Sequence, residues 1–199
     1  MSAESLLAAH LPFRLLQALW FVLPVLAAGL LHVCVIKLGW FAALARQPLD
    51  RGLRLRGRRL WGDNKTVRGA VVMIGITTLM AAMLSQMADA VDLAVAPFQT
   101  AHPALWGLLL GTGYIVGELP NSLVKRQLDI APGAAASGWK KSVFWVVDQL
   151  DSVVGMFLLL SIVWRPDATF VAIVLVLAVL FHPFAAALMV TLGLKFRIG

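Results

Sequence analysis

The chain has 199 residues, 60% of them hydrophobic and only 14% charged, with a mean hydropathy of +0.86, whereas a soluble domain carries about 25% charged residues. A single water-soluble core cannot hide that much apolar surface, so a soluble globular protein is excluded and lipid must surround part of the chain. Seventeen Lys and Arg against ten Asp and Glu leave a formal charge of +7, which suits anionic headgroups, nucleotides or phosphorylated substrates wherever the charge clusters.

From the N-terminus onward, windows of about 19–20 residues, the length that crosses roughly 30 Å of hydrocarbon as a helix, predict five spans. They cover 15–36, 70–88, 104–119, 143–164 and 169–192. The first exceeds the 7–15 apolar residues typical of a signal peptide and is read as a retained helix. Its Cys34, the only cysteine, reads as a small buried hydrophobe. The third is the shortest. Its Gly107, Gly111, Gly113 and Gly117 recur at spacings of four and six, which lets neighbouring backbones approach if it is a packed helix and leaves a re-entrant segment open. His182-Pro183 in the fifth reads as a helix kink. With no internal repeat and no long linker, residues 1–199 read as a single membrane-embedded domain.

The loops between spans differ in charge. Segment 37–69 holds nine Lys and Arg, 118–142 adds Lys125, Arg126, Lys140 and Lys141, and the tail carries Lys195 and Arg197. The opposite side keeps Arg14 and Arg165, and loop 89–103 has two aspartates and no base. The positive-inside rule then places the N-terminus outside and the C-terminus and both polar loops in the cytosol. The expected fold is an all-α polytopic protein of the inner or plasma membrane.

Three segments carry chemistry. In the first loop, Arg54, Arg56, Arg58 and Arg59 suit anionic headgroups by electrostatics alone. Asp63-Asn64-Lys65-Thr66 packs an acid, an amide, an ammonium and a hydroxyl between Gly62 and Gly69, just before a helix whose N-terminal amides can receive an anion. It is not a P-loop, so a Walker-type NTPase is disfavoured. In Gly117-Glu118-Leu119-Pro120-Asn121-Ser122-Leu123-Val124-Lys125-Arg126, a helix continuing past Pro120 puts Glu118, Ser122 and Lys125 on one face. Such a face meets either a substrate phosphate or lipid headgroups.

Asp148 and Asp151 lie inside the fourth span, three residues apart and about 7 and 12 Å from Val143. Two carboxylates at that depth must be protonated, paired with bases, or bound to a divalent cation. A hard cation such as Mg2+ accepts one or two carboxylates and keeps positions for water and phosphate oxygens. No histidine falls in the cytosolic loops, so schemes built on a cytosolic histidine lose weight.

At these segments the sequence resembles the CDP-archaeol synthases, membrane cytidylyltransferases related to the phosphatidate cytidylyltransferases. The resemblance rests on Pro48-Leu49-Asp50, Gly62-Asp63-Asn64-Lys65-Thr66-x-Arg68-Gly69, Ser122-x-x-Lys125-Arg126 and Asp148-Gln149-Leu150-Asp151-Ser152, in family order. The His-Gly-Gly that precedes the aspartates in the broader signature is missing, which favours the archaeol-type branch. The resemblance implies that CTP and a membrane lipid phosphate give a CDP-lipid and pyrophosphate, with Mg2+ as cofactor. It further implies metal ligation by Asp148 and Asp151, and catalytic stabilisation by these acids together with Lys65, Arg68 and Lys125. Asp50, Asp63, Asn64, Thr66, Ser122 and Arg126, with Lys65, Arg68 and Lys125, would bind CTP or the lipid phosphate. Archaetidate-like and phosphatidate substrates both fit, and no nucleic-acid partner is expected. Two other readings remain open: a small cation-coupled transporter with Asp148 and Asp151 as its ion site, and a non-enzymatic headgroup-binding scaffold.

The topology makes a direct prediction. A label at Gly57 and a reporter fused after Gly199 are expected in the cytosol, and a label at Gln99 outside. Accessibility of Gly57 and Gln99 from the same side would overturn the five-span arrangement.

Overall fold

The computed structural model describes residues 3–90 and 101–191, and most of this path is helical. The long helices are α1 (Ala3–Lys37), α3 (Val67–Ala90), α4 (Pro103–Gln127), α5 (Trp139–Leu160) and α6 (Ala168–Thr191); α2 (Ala42–Ala45) is a single turn. The all-α expectation is corrected in one place. Arg56 at φ 52° and Gly57 at φ 80° form a tight turn that pairs β1 (Arg54–Leu55) with β2 (Arg58–Arg59). Positive φ at both central residues is the signature of the two-residue hairpin turn.

Local sequence explains where the helices begin. Thr66 accepts the Gly69 amide at 3.2 Å and caps α3; Asp167 accepts the Phe170 amide at 3.0 Å and caps α6. At α4, Pro103 occupies the first turn and His102 Nδ1 accepts the Ala104 amide. Each side chain satisfies an amide that has no partner within its helix.

Leu11–Lys37, Val67–Ala88 and Trp139–Leu160 are long and apolar enough to cross a bilayer, and Ala168–Phe181 is a shorter apolar stretch. The segment predicted as the third span is helical but continues through Pro120 to Gln127. Its glycines and Glu118 dilute its apolarity. The fourth span is shifted by four residues, since α5 starts at Trp139 and ends at Leu160, whereas α6 agrees within one residue and runs on as helix through His182 and Pro183. Loop 89–103 and the basic tail fall largely outside the described residues. Cys34, expected to be buried, is exposed on α1.

Each helix packs on its chain neighbours, with α4 between α3 and α5, and α6 closing against α1 and α5. One end is aromatic. Phe21 stacks on Phe157 at 5.5 Å, and Trp106, Trp164 and Phe170 lie at 5.1–5.3 Å from one another along the chain of contacts. These rings belong to or pack against an apolar core that also contains Val22, Met73, Leu110, Met156, Leu160 and Val174.

The glycines of α4 divide between two neighbours. A Cβ on Gly111 would lie 2.8 Å from the Ile74 Cα of α3, and Gly107 sits equally tightly on Thr78. Gly113 and Gly117 instead face Gly155 of α5, and a Cβ on Gly113 would be 2.6 Å from the Gly155 carbonyl oxygen. Backbone cannot retreat from such a contact as a flexible side chain can. Gly155→Ala should therefore lower the thermal unfolding midpoint in detergent, with an overpacking cost of about 1–3 kcal/mol. Gly29→Ala, inside α1 with nothing within 4 Å, should not lower it, since alanine favours the helix.

Candidate active site

Because successive long helices run in opposite directions, the end of α1, the start of α3, the end of α4 and the start of α5 gather at one end. The two basic loops meet there. The Arg58 guanidinium makes paired bonds of 2.6 and 2.5 Å to Asp129, and Lys65 of the first loop pairs with Glu118 of α4.

Asp50 organises the first loop from inside. Its side chain is fully buried and accepts the amides of Gly52, Trp61 and Gly62 at 3.0–3.1 Å. Arg59 donates to both of its oxygens and reaches Asp63 at 2.7 Å. Burial by itself would raise the Asp50 pKa; the Arg59 guanidinium and the three amides outweigh it and hold the carboxyl well below the usual range. Two backbone bonds, from Leu49 N to the Lys65 carbonyl and from Val67 N to the Gln47 carbonyl, tie the loop's ends together. Asp50 is thus placed as the loop's anchor, with its oxygens engaged internally.

The other loop residues are distributed around this anchor. Thr66 is taken up as the cap of α3. Asp63 is exposed and bound to Arg59, and Asn64 is exposed nearby. Arg68 reaches the Trp40 carbonyl at 3.5 Å, and its Nε is buried without a partner. Gly62, at φ 95°, has no room for a side chain, since a Cβ would meet Pro132 at 2.9 Å and Arg126 Nη1 at 3.4 Å. Beneath it Arg126 is buried, with Nε and Nη1 lacking any hydrogen-bond acceptor. Unpaired buried donors of this kind are costly in the absence of a ligand. His32, in the last part of α1, comes close to Gly69, so a histidine assigned to the first span does reach this end.

The acids of α5 meet α4. Lys125 Nζ lies 2.5 and 2.6 Å from the two oxygens of Asp148 and 5.3 Å from the centre of the Phe144 ring. Asn121 Nδ2 donates to Asp148 at 2.6 Å and to Asp151 at 2.7 Å. Asp151 also accepts the Ser152 amide and hydroxyl at 2.6 and 3.1 Å, and the hydroxyl stands 3.4 Å from Glu118. Lys65, Glu118, Ser152, Asp151, Asn121, Asp148 and Lys125 thereby form one connected polar string. Ser122, expected on the Glu118–Lys125 face, makes no hydrogen bond to these acids; Asn121 does. Asn121 and Ser152 lie in segments that the sequence marks, but spacing alone gives them no role in the site. The available signal was helical spacing, since i, i+3 and i+7 from Glu118 selects Asn121 and Lys125 as readily as i, i+4 and i+7 selects Ser122.

The oxygens of the string, carboxylate with the Ser152 hydroxyl, are of the kind a hard divalent cation takes, and no thiolate or imidazole is bonded into it. Among the described residues no cluster of three or more His, Cys, Asp and Glu side chains forms a cation cage. A cation at Asp148 and Asp151 would have two carboxylates from these residues and would need outside oxygens for the rest.

The fold matches a solved structure described as an intramembrane enzyme for archaeal membrane lipid biosynthesis, with a TM-score of 0.61 and 23% identity, over 86% of this chain and 93% of that one. The class is that of helical, membrane-embedded proteins with a polar cluster at one end of the bundle. The family model for CarS-like CDP-archaeol synthase matches residues 12–197. The CDP-archaeol synthase of Thermofilum pendens is 31% identical over 98% of this chain and 86% of its own length. Those of Methanopyrus kandleri and Halobacterium salinarum are 34% and 35% identical, over 75% and 77% of this chain and 73% and 80% of their own lengths. The chain belongs to the CDP-archaeol synthase family.

The Asp50 anchor has a pH signature. Its folded pKa lies below the unfolded value of about 3.9, so the folded state binds fewer protons. Its stabilisation is complete above that pH and fades as the pH falls towards the folded value. Asp50→Asn should unfold at a lower temperature than the parent at pH 7, with the gap narrowing below about pH 4. A gap that stays constant down to pH 3 would overturn the anchoring role.

Proposed function

We propose that this protein transfers the cytidylyl group of CTP to a membrane lipid phosphate, giving a CDP-lipid and pyrophosphate. The observation that carries the proposal is the polar string itself, which joins a loop lysine, the Glu118–Lys125 face of α4 and two acids of α5 at one end of a lipid-embedded bundle. Family membership supports it. In this reading the polar end faces the cytosol, with the N-terminus outside and five spans, as the loop charges require. CTP then enters from water while the lipid chains stay in the bilayer.

The reaction needs no general base. A lipid phosphate oxygen is already anionic at pH 7; it forms a bond to the α-phosphorus as the bond from that phosphorus to the β-bridging oxygen breaks, and pyrophosphate leaves. The difficulty is bringing two anions together. Lys65 and Lys125 stand on acids of the site, where a triphosphate would compete for them. Arg126 has buried donors without acceptors, and Arg68 has one. These cations would neutralise the phosphates and stabilise the charge that develops on pyrophosphate. Gly62, Asp63 and Asn64 would line the nucleotide's approach from the loop side, while Asp50 and Thr66 hold that loop and the start of α3 in place. Asp148 and Asp151 would hold Mg2+, which when bound supplies positive charge to the triphosphate.

The test uses purified protein with CTP, Mg2+ and both ether-linked and ester-linked lipid phosphates, reading CDP-lipid by mass. Asp148→Asn and Asp151→Asn should insert normally, lose about 10²–10³ in turnover, and lose the thermal stabilisation that CTP and Mg2+ together give the parent. Without Mg2+, Asp148→Asn should be the less stable of the two, because it alone breaks the ion pair with Lys125. Parental turnover in both variants would exclude the metal assignment. A parent that converts neither lipid would exclude the enzyme reading in favour of a transporter or scaffold.

A further inference from the structure

We infer that Asn121 is a positioning residue that sets the spacing of Asp148 and Asp151 for a divalent cation, an inference that rests on the cation reading of the site above. Two carboxylates three residues apart on one helix face repel each other. Lys125 relieves only one of them, since it contacts both oxygens of Asp148, while the hydrogen bonds to Asp151 come from Asn121 and Ser152. Among the described residues, the Asn121 amide is the one group hydrogen-bonded to both acids. Its Nδ2 carries two hydrogens, and one points to each carboxylate, at 2.6 and 2.7 Å. The orientation of the amide is fixed by chemistry. The reverse assignment would press a carbonyl oxygen against two carboxylate oxygens.

The position of the amide is fixed as well. Asn121 is buried, and one turn before it the backbone of Gly117 touches that of Asp151 and Gly155 on α5. An oxygen of each acid is thus held against a single atom whose own place is set by helix packing. The pair is drawn together before any cation arrives, and the entropy of ordering it is already met.

Asn121 Oδ1, in contrast, is buried with no partner. An acceptor left unsatisfied costs free energy that offsets what the two N–H bonds contribute. The amide therefore adds little net stability while fixing the geometry of both acids. A merely structural asparagine would show the opposite balance, and that difference can be measured.

The experiment titrates Mn2+ into detergent-purified protein without CTP or lipid, reading free Mn2+ by electron paramagnetic resonance. The parent is compared with Asn121→Ala, with Asn121→Leu, which keeps the branched shape but has no donors, and with Asn121→Gln, which keeps the NH2 on a longer arm. Ala and Leu should fold, with unfolding midpoints near that of the parent, and bind Mn2+ about 10–100-fold more weakly, as for other groups that orient metal ligands. Gln should recover part of that loss. Mn2+ affinity within twofold of the parent in folded Ala or Leu protein would overturn the inference, and so would failure of both to fold, which would show a structural role. If the parent itself binds no Mn2+, the cation reading of the site falls and this inference falls with it. Loss confined to the variants leaves that reading standing.

Discussion

Where α4 crosses α5, backbone touches backbone at Gly113, Gly117 and Gly155, and that contact sets the polar groups that follow. The helices run in opposite directions, so each step of one turn along α4 meets a step back along α5. Gly117 lies against Asp151 and Gly155, Asn121 meets Asp151 and Asp148, and Lys125 meets Asp148 and Phe144. With larger residues at the glycines the axes would separate, and the short side chain of asparagine could not span the gap. Close packing of small residues, a common source of helix association in lipid, here determines which polar atoms can bond.

The same end of the bundle brings acids and bases together across long stretches of chain. Arg59 meets Asp50, Arg58 meets Asp129, Lys65 meets Glu118 and Lys125 meets Asp148. Such pairs are weak evidence for stability, because desolvation cancels much of the attraction in the partly buried ones and solvent screens the exposed Arg58–Asp129 pair. Their stronger effect is positional. Asp50 closes the first loop on itself and Asp129 ties it to the segment after α4, while Glu118 and Asp148 hold two lysines at the candidate site. The Arg58 and Arg59 side chains, expected from sequence alone to meet lipid headgroups, are instead committed to protein acids.

The family match spans nearly the whole described chain, and the solved structure shares its fold over 86% of the chain. The motif residues that carry the resemblance divide in space. Asp50 and Thr66 build the loop and the α3 terminus, whereas Lys65, Lys125, Asp148 and Asp151 join the string on α4 and α5. A linear motif therefore mixes groups that shape the site with groups that face it.

The sequence by itself determined the lipid environment, the positions of the long helices, the two basic loops and the acid pair of α5, because hydropathy, charge and residue spacing are local properties. It also determined the family, through motifs legible in chain order. It left open whether 104–119 packs as a helix, and misplaced the limits of α5, because helix ends depend on caps and on what lies beyond them. It could not choose Asn121 over Ser122, since a helical face is wide enough to include both and only the rotation of α4 against α5 selects one. Nor could it show that Asp50 turns inward, that Lys65 reaches Glu118 across 53 residues, or that Arg126 is buried without acceptors. Those outcomes belong to the tertiary structure, because each depends on where a second, distant segment comes to rest.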